Sequence, residues 1–130
     1  MVYLNIIINI ISLIHVYSGT GTIGLTIAKT LSNKVNKVIG VELSEDAIKD
    51  AKVNAELNDI KNINFICGKA EEALGKELRS FVNYAGIAII DPPRAGLHPK
   101  TIKALRSCSF IKYIIFVSCD TRGLLDTTSG

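Results

Sequence analysis

The sequence is short of the features that mark a cross-linked, metal-bound or membrane-spanning protein. Its 130 residues include three cysteines, Cys67, Cys108 and Cys119, separated by 41 and 11 positions. An odd number at those spacings matches neither a paired disulfide framework nor a Cys-x-x-Cys metal knuckle. Reduced thiols in an intracellular protein, cytoplasmic or nuclear, are expected, and no metal. Internal repeats, low-complexity tracts and Ser/Pro-rich linkers are missing before the last few residues. Excess charge is also small, at +3 from 15 basic and 12 acidic side chains. The excess is C-terminal: residues 92–130 hold six basic and two acidic side chains, against nine and ten in residues 1–91. A field that modest permits nucleic acid without indicating it. The length itself falls below the roughly 150 residues of an average domain, which excludes a two-domain enzyme. With 48% hydrophobic and 21% charged residues, disorder of the whole chain is excluded as well.

The Ile-rich opening, residues 1–17, has no basic n-region and is interrupted by Asn5, Asn9, Ser12 and His15. This argues against a signal or membrane segment. Asn5, Asn9 and Ser12 recur at helical spacing, so a short core-facing helix over residues 1–12 is expected before the first strand. No other apolar run reaches membrane length, and the protein reads as soluble.

Beyond that point apolar runs alternate with longer amphipathic segments. Strands are predicted over residues 13–17, 37–41, 63–67, 86–90 and 112–118. Helices are predicted over residues 22–31, 44–57 with Ser44 as N-cap, 70–79, and 98–107. Short apolar strands without alternation suit a parallel sheet covered on both faces, so the fold class is α/β, a doubly wound, mostly parallel sheet. Ligands of such sheets bind at the carboxyl ends of the strands. The segments after Tyr17, Val41, Cys67, Ile90 and Ser118 are therefore where chemistry is sought.

After the first strand comes Gly19-Thr20-Gly21-Thr22-Ile23-Gly24, a GxGxxG turn through which a ligand can approach the backbone closely. Glu42 ends the second strand 18 residues after Gly24, where a carboxylate can accept both hydroxyls of a ribose. Together they read as a site for an adenosine-containing cofactor, with NAD and S-adenosylmethionine both open. The fourth strand runs into Asp91-Pro92-Pro93-Arg94-Ala95-Gly96-Leu97-His98, whose prolines fix φ and exclude helix. The fifth ends in Val117-Ser118-Cys119-Asp120, bringing a thiol to the same rim as a candidate nucleophile. Cys67 and Cys108 are assigned instead as small buried hydrophobes. His98 reads as a loop or N-terminal helix residue.

These motifs resemble those of the S-adenosylmethionine-dependent RNA uracil-5-methyltransferases, particularly the eukaryotic tRNA branch. The matching residues are the GTGTIGL turn from Gly19, VELS from Val41, IIDPPRAGLHPK from Ile89 and VSC from Val117, within residues 13–123. The resemblance implies a Rossmann-like class I methyltransferase fold, with S-adenosylmethionine as cofactor and RNA, most often tRNA, as partner. It implies that Tyr17, Gly19, Thr22, Glu42 and Asp91 form the cofactor site and that Cys119 is the catalytic nucleophile, adding to carbon 6 of uracil. Lys100, Lys103 and Arg106 share one broad face of the following helix, where they face either an RNA phosphate or solvent.

The sequence departs from the family pattern at four positions beside the expected pocket. His15, Ser18, Lys69 and Asp120 stand where the family carries Asp, Cys, Asp and Asn. Lys69 in place of an acceptor should weaken cofactor binding, and Asp120 should make the Cys119 thiolate scarcer. The family's catalytic base lies beyond the SC motif, and residues 124–130 diverge from the family continuation. The expectation is a single, truncated methyltransferase domain ending after the fifth strand, which is left as an open apolar edge. Two other readings fit parts of the sequence: a non-catalytic cofactor- or RNA-binding module, and an NAD-dependent dehydrogenase, which has no use for DPPR and SC at adjacent strand ends.

Overall fold

The computed structural model describes residues 11–78 and 86–118. Five strands, β1 (Ile11–Val16), β2 (Val35–Glu42), β3 (Ile63–Cys67), β4 (Gly86–Ile90) and β5 (Ile111–Phe116), form one sheet in the order β3-β2-β1-β4-β5. Every neighbouring pair is parallel. The order reverses between β1 and β4, so the rim beside the carboxyl end of β1 is the topological switch point.

The helices between the strands are α1 (Thr22–Thr30), α2 (Glu45–Leu57), α3 (Ala70–Glu72) and α4 (Pro99–Ser107). Alternation along the strands divides the core in two. Ile14, Val16, Ile39, Val41, Ala88 and Ile90 pack against Ala70, Leu74, Leu78 and Leu105 on one face. Leu13, Val38, Ile63 and Ile89 pack against Leu25, Ala28 and Ala55 on the other. The doubly wound pattern expected from the sequence is therefore present, with α1 and α2 on one side and α3 and α4 on the other.

Local chemistry accounts for the element boundaries. The side chain of Ser44 accepts the Ala47 N–H at 3.3 Å and caps α2, with Glu45 and Asp46 in its first turn, where acidic groups favour the positive end of the helix dipole. His98 caps α4, its Nδ1 accepting the Lys100 N–H at 3.2 Å, with Pro99 opening the helix.

Four expectations change. Ile11 and Ser12, assigned to the opening helix, are strand residues, and Ser12 is buried; the rest of that segment, residues 1–10, lies outside the described residues. The helix expected from residue 70 makes one α-helical turn and then widens into a π-helical turn, Ala73–Glu77. Cys67 is exposed at the end of edge strand β3, its Sγ 3.6 Å from the Leu43 carbonyl, whereas Cys108 is buried as assigned. Coverage on both faces holds for the three inner strands but not for β5, where Tyr113, Ile114, Ile115 and Phe116 are all exposed. Among the described residues, β5 lies at the sheet edge and pairs with β4 alone.

Candidate functional site at the switch point

The turn after β1 is built around left-handed backbone. Tyr17, Gly19 and Gly21 have φ of 63°, 56° and 85°. At Gly21 a Cβ would also meet the Phe65 ring at 3.0 Å, so glycine is required there on both counts. Tyr17 is the exception, a bulky residue in a region that disfavours it. The Ser18 N–H donates to the Val41 carbonyl at 3.0 Å and the Gly21 N–H to the Ser18 carbonyl at 2.9 Å, closing the turn onto α1.

Glu42 fastens this turn to the neighbouring strand. Its Oε2 accepts the Gly19 N–H at 2.9 Å, and its Oε1 accepts the N–H groups of Leu43 and Ser44 at 2.8 and 3.0 Å. The Gly68 N–H donates to the Glu42 carbonyl at 3.0 Å, which draws the end of β3 to the same place.

A cavity of about 110 Å³ opens between these strand ends, lined by Tyr17, Glu42 and Leu43 on one side and by Gly68, Lys69 and Glu71 on the other. It is small beside the roughly 300–1,000 Å³ of a complete ligand pocket, room for one planar ring system with the remainder of a ligand lying along the rim. A wider hollow of about 380 Å³ between α1 and the loop before β3 contains Lys29, Asn58 and Lys61. It lies toward the amino ends of the strands, away from the rim where such sheets bind ligands.

The sequence-predicted residues divide accordingly. Tyr17 and Glu42 share the cavity, and Gly19 is hydrogen-bonded to Glu42. Thr22 stands outside it as the first residue of α1, exposed, with its carbonyl taken by the Thr26 hydroxyl at 2.8 Å. Asp91 is half-buried at the end of β4, its N–H donating to the Val16 carbonyl at 3.2 Å. Cys119 and Asp120 lie outside the described residues. Lys100, Lys103 and Arg106 are exposed on α4.

Glu71 and Thr101 were not assigned from the sequence, and His15 and Ser18 were noted there only as departures from the family pattern. Glu71 lines the cavity and accepts a hydrogen bond from Thr101; a polar residue on an otherwise core-facing helix stripe was the available signal for Thr101. His15 is buried beside α1, and neither ring nitrogen has a hydrogen-bond partner in the structure. Burial pushes its pKa below the usual value, against the opposing pull of the Asp91 and Glu42 carboxylates. The Ser18 hydroxyl, on the same side of the sheet, is likewise buried without a partner.

Among the described residues no helix is long and apolar enough to cross a membrane. A parallel, doubly wound α/β sheet with a glycine turn and a fixed acidic strand end at its switch point defines a protein of the Rossmann-like class. A crystal structure of an rRNA methylase from Streptococcus thermophilus shares this fold, with a TM-score of 0.63 over 98% of this chain and 75% of that one at 16% sequence identity.

The sequence narrows the class to a family. The tRNA (Uracil-5-)-methyltransferase family matches residues 8–129, and the chain belongs to it. It is 40% identical over 114 residues to tRNA (uracil-5-)-methyltransferase homolog A of Mus musculus, which covers 88% of this chain and 18% of that protein. With homolog B of Danio rerio the identity is 42% over 113 residues, 86% of this chain and 23% of that protein. The chain thus spans about a fifth of the length of these curated relatives, at 18% and 23%.

Proposed function

We propose that this chain carries the cofactor-binding part and the nucleophile of an enzyme that transfers a methyl group from S-adenosylmethionine to carbon 5 of uridine in RNA, most fittingly tRNA. The observation that carries the cofactor half is the cavity between the ends of β1, β2 and β3, with a carboxylate in its wall fixed by three backbone N–H groups. Beside it, a Cβ on Gly19 would meet nothing within 4 Å, so ligand atoms have open backbone to approach. The residues present fit an adenosine-containing group on those grounds. Tyr17 and Glu42 would hold its ring and ribose, and Gly19, Thr22 and Asp91 would follow it along the rim. When bound, S-adenosylmethionine supplies the methyl group on an electrophilic sulfonium.

Cys119 answers the difficulty on the acceptor side. Carbon 5 of uracil is a poor nucleophile. Addition of the thiolate to carbon 6 breaks the 5,6 double bond and moves its electron pair into an enolate, which makes carbon 5 able to take a methyl group. A base then removes the proton from carbon 5, the double bond re-forms and the thiolate leaves. The target uracil has to leave its stack to be reached. What supports Cys119 is the VSC motif after β5 and the bond from the Val117 N–H to the Ile90 carbonyl at 2.9 Å, one residue before Asp91. The exposed Lys100, Lys103 and Arg106 on the helix after the same loop are the candidate phosphate contacts.

Calorimetric titration with S-adenosylhomocysteine tests the cofactor half, with Glu42→Ala as control and NAD as competitor. Saturable binding that is lost in the variant and indifferent to NAD is expected. A folded chain that binds NAD instead, or neither ligand, overturns the reading.

A further inference from the structure

Three side chains from three separate elements meet behind the cavity. The Oη of Tyr17, from the turn after β1, lies 3.4 Å from Oγ1 of Thr101 on α4. That hydroxyl is 3.3 Å from Oε2 of Glu71 on α3. Thr101 is fully buried, whereas Tyr17 and Glu71 both line the cavity. The direction of the chain follows from valence. A carboxylate only accepts and a threonine hydroxyl has one hydrogen, so Thr101 donates to Glu71 and leaves its lone pairs to the Tyr17 hydroxyl. The pKa of Glu71 is lowered first by its own backbone N–H and further by the Thr101 hydroxyl, against an opposing push from burial.

We propose that Thr101 is a positioning residue for the cofactor: through its hydroxyl, α4 sets the angle at which the Tyr17 ring meets a ligand in the cavity. The inference rests on the cofactor reading above and extends it to a residue that touches no ligand. Tyr17 is the residue in this turn that needs such a restraint. Its backbone is left-handed, a conformation that costs a bulky side chain energy and persists where surrounding contacts enforce it. The bonds of 3.3 and 3.4 Å exceed the 2.5–3.0 Å of a tight O–H···O bond. The restraint is therefore slack in the free protein, and a ring pressing on Tyr17 draws it taut, as site hydrogen bonds often tighten only in a complex.

A double-mutant cycle read by calorimetry with S-adenosylhomocysteine tests this. Tyr17→Phe and Thr101→Val should each weaken binding by about three- to tenfold, the worth of one neutral hydrogen bond. The double variant should bind no worse than either single one, because the effect of Thr101 passes through the Tyr17 hydroxyl. Thr101→Ser should restore affinity. Tyr17→Phe keeps the ring and the buried Thr101–Glu71 bond while removing the same contact, and serves if Thr101→Val does not fold: unchanged affinity there overturns the positioning role. Additive losses in the cycle, or full affinity in Thr101→Val, overturn the positioning role while leaving the cofactor reading in place. A folded wild-type chain without affinity defeats both.

Discussion

Replacing His15 by leucine should make the protein more stable and less sensitive to acid. The imidazole is 1% exposed, with both nitrogens lacking a hydrogen-bond partner in the structure, and a buried polar group left in that condition costs about 1–3 kcal/mol. Leucine fills a similar volume among Leu13, Val38 and Ile89 on that face of the sheet, so most of the cost is recovered without a cavity. Taking about 1.5 kcal/mol and a urea dependence of about 1.5 kcal/mol per molar, the unfolding midpoint at pH 7.5 should rise by about 1 M. The acid effect has a definite sign. Burial lowers the folded-state pKa of His15 below 6.5, so the unfolded chain takes up the proton first as pH falls. Stability associated with His15 is therefore intact above 6.5 and declines as pH falls from there through the depressed folded value. Urea unfolding of both proteins at pH 7.5 and pH 5.5, followed by far-ultraviolet circular dichroism, measures both effects. A lower midpoint for His15→Leu at pH 7.5, or an equal loss between the two pH values in both proteins, would refute this account of the buried ring.

Two further outcomes follow from packing. Gly40→Ala in the middle of β2 would place a Cβ 2.6 Å from Cδ1 of Phe65 and 3.0 Å from the Ser18 hydroxyl; overpacking of that kind should lower stability by about 1–3 kcal/mol, read as a lower urea midpoint, and an unchanged midpoint would show that Phe65 yields freely. On the open strand, Ile114→Lys removes an exposed apolar side chain from a run that also holds Tyr113, Ile115 and Phe116. It should raise the concentration at which light scattering detects association, and identical scattering by the two proteins would mean that β5 is not the adhesive edge.

Most of the scaffold was legible because local signals agreed with one another. The bounds of β3 and β4 match the predicted runs, and Ser44 caps the helix it was expected to cap. The glycine turn and the acidic strand end, paired from the sequence, do meet in the structure, where the Gly19 N–H donates to Glu42. What escaped depended on partners distant in sequence. Ser12 continued a helical period by spacing, yet it pairs with Gly86 across the sheet, and strand pairing overrode the period. Cys67 looked like an interior thiol until the sheet order put β3 at an edge. Thr101 and Tyr17 are 84 positions apart, and no local pattern announces a contact of that range. Composition likewise gave no hint that His15 would be enclosed without partners.

Glu42 shows how the fold and the proposed chemistry share one side chain. Its two oxygens divide the work: Oε1 caps the start of its own loop at Leu43 and Ser44, and Oε2 reaches back 23 positions to Gly19. A carboxylate offers about four acceptor sites, so three backbone donors leave one for the proposed ribose contact. The sequence suggested a carboxylate free to take both hydroxyls; the structure makes it first a clasp between two strand ends. Glutamine could keep the Leu43 and Ser44 bonds through its carbonyl oxygen, but its amide NH₂ would then oppose the Gly19 N–H, donor against donor. The substitution is conservative in shape and disruptive at the turn. Loss of ligand in Glu42→Ala therefore combines a missing ribose contact with a loosened Gly19 turn. Hydrogen exchange at Ser18 and Gly21, whose bonds to the Val41 and Ser18 carbonyls do not use Glu42, separates the two: a turn still protected in the variant assigns the lost affinity to the ribose contact itself.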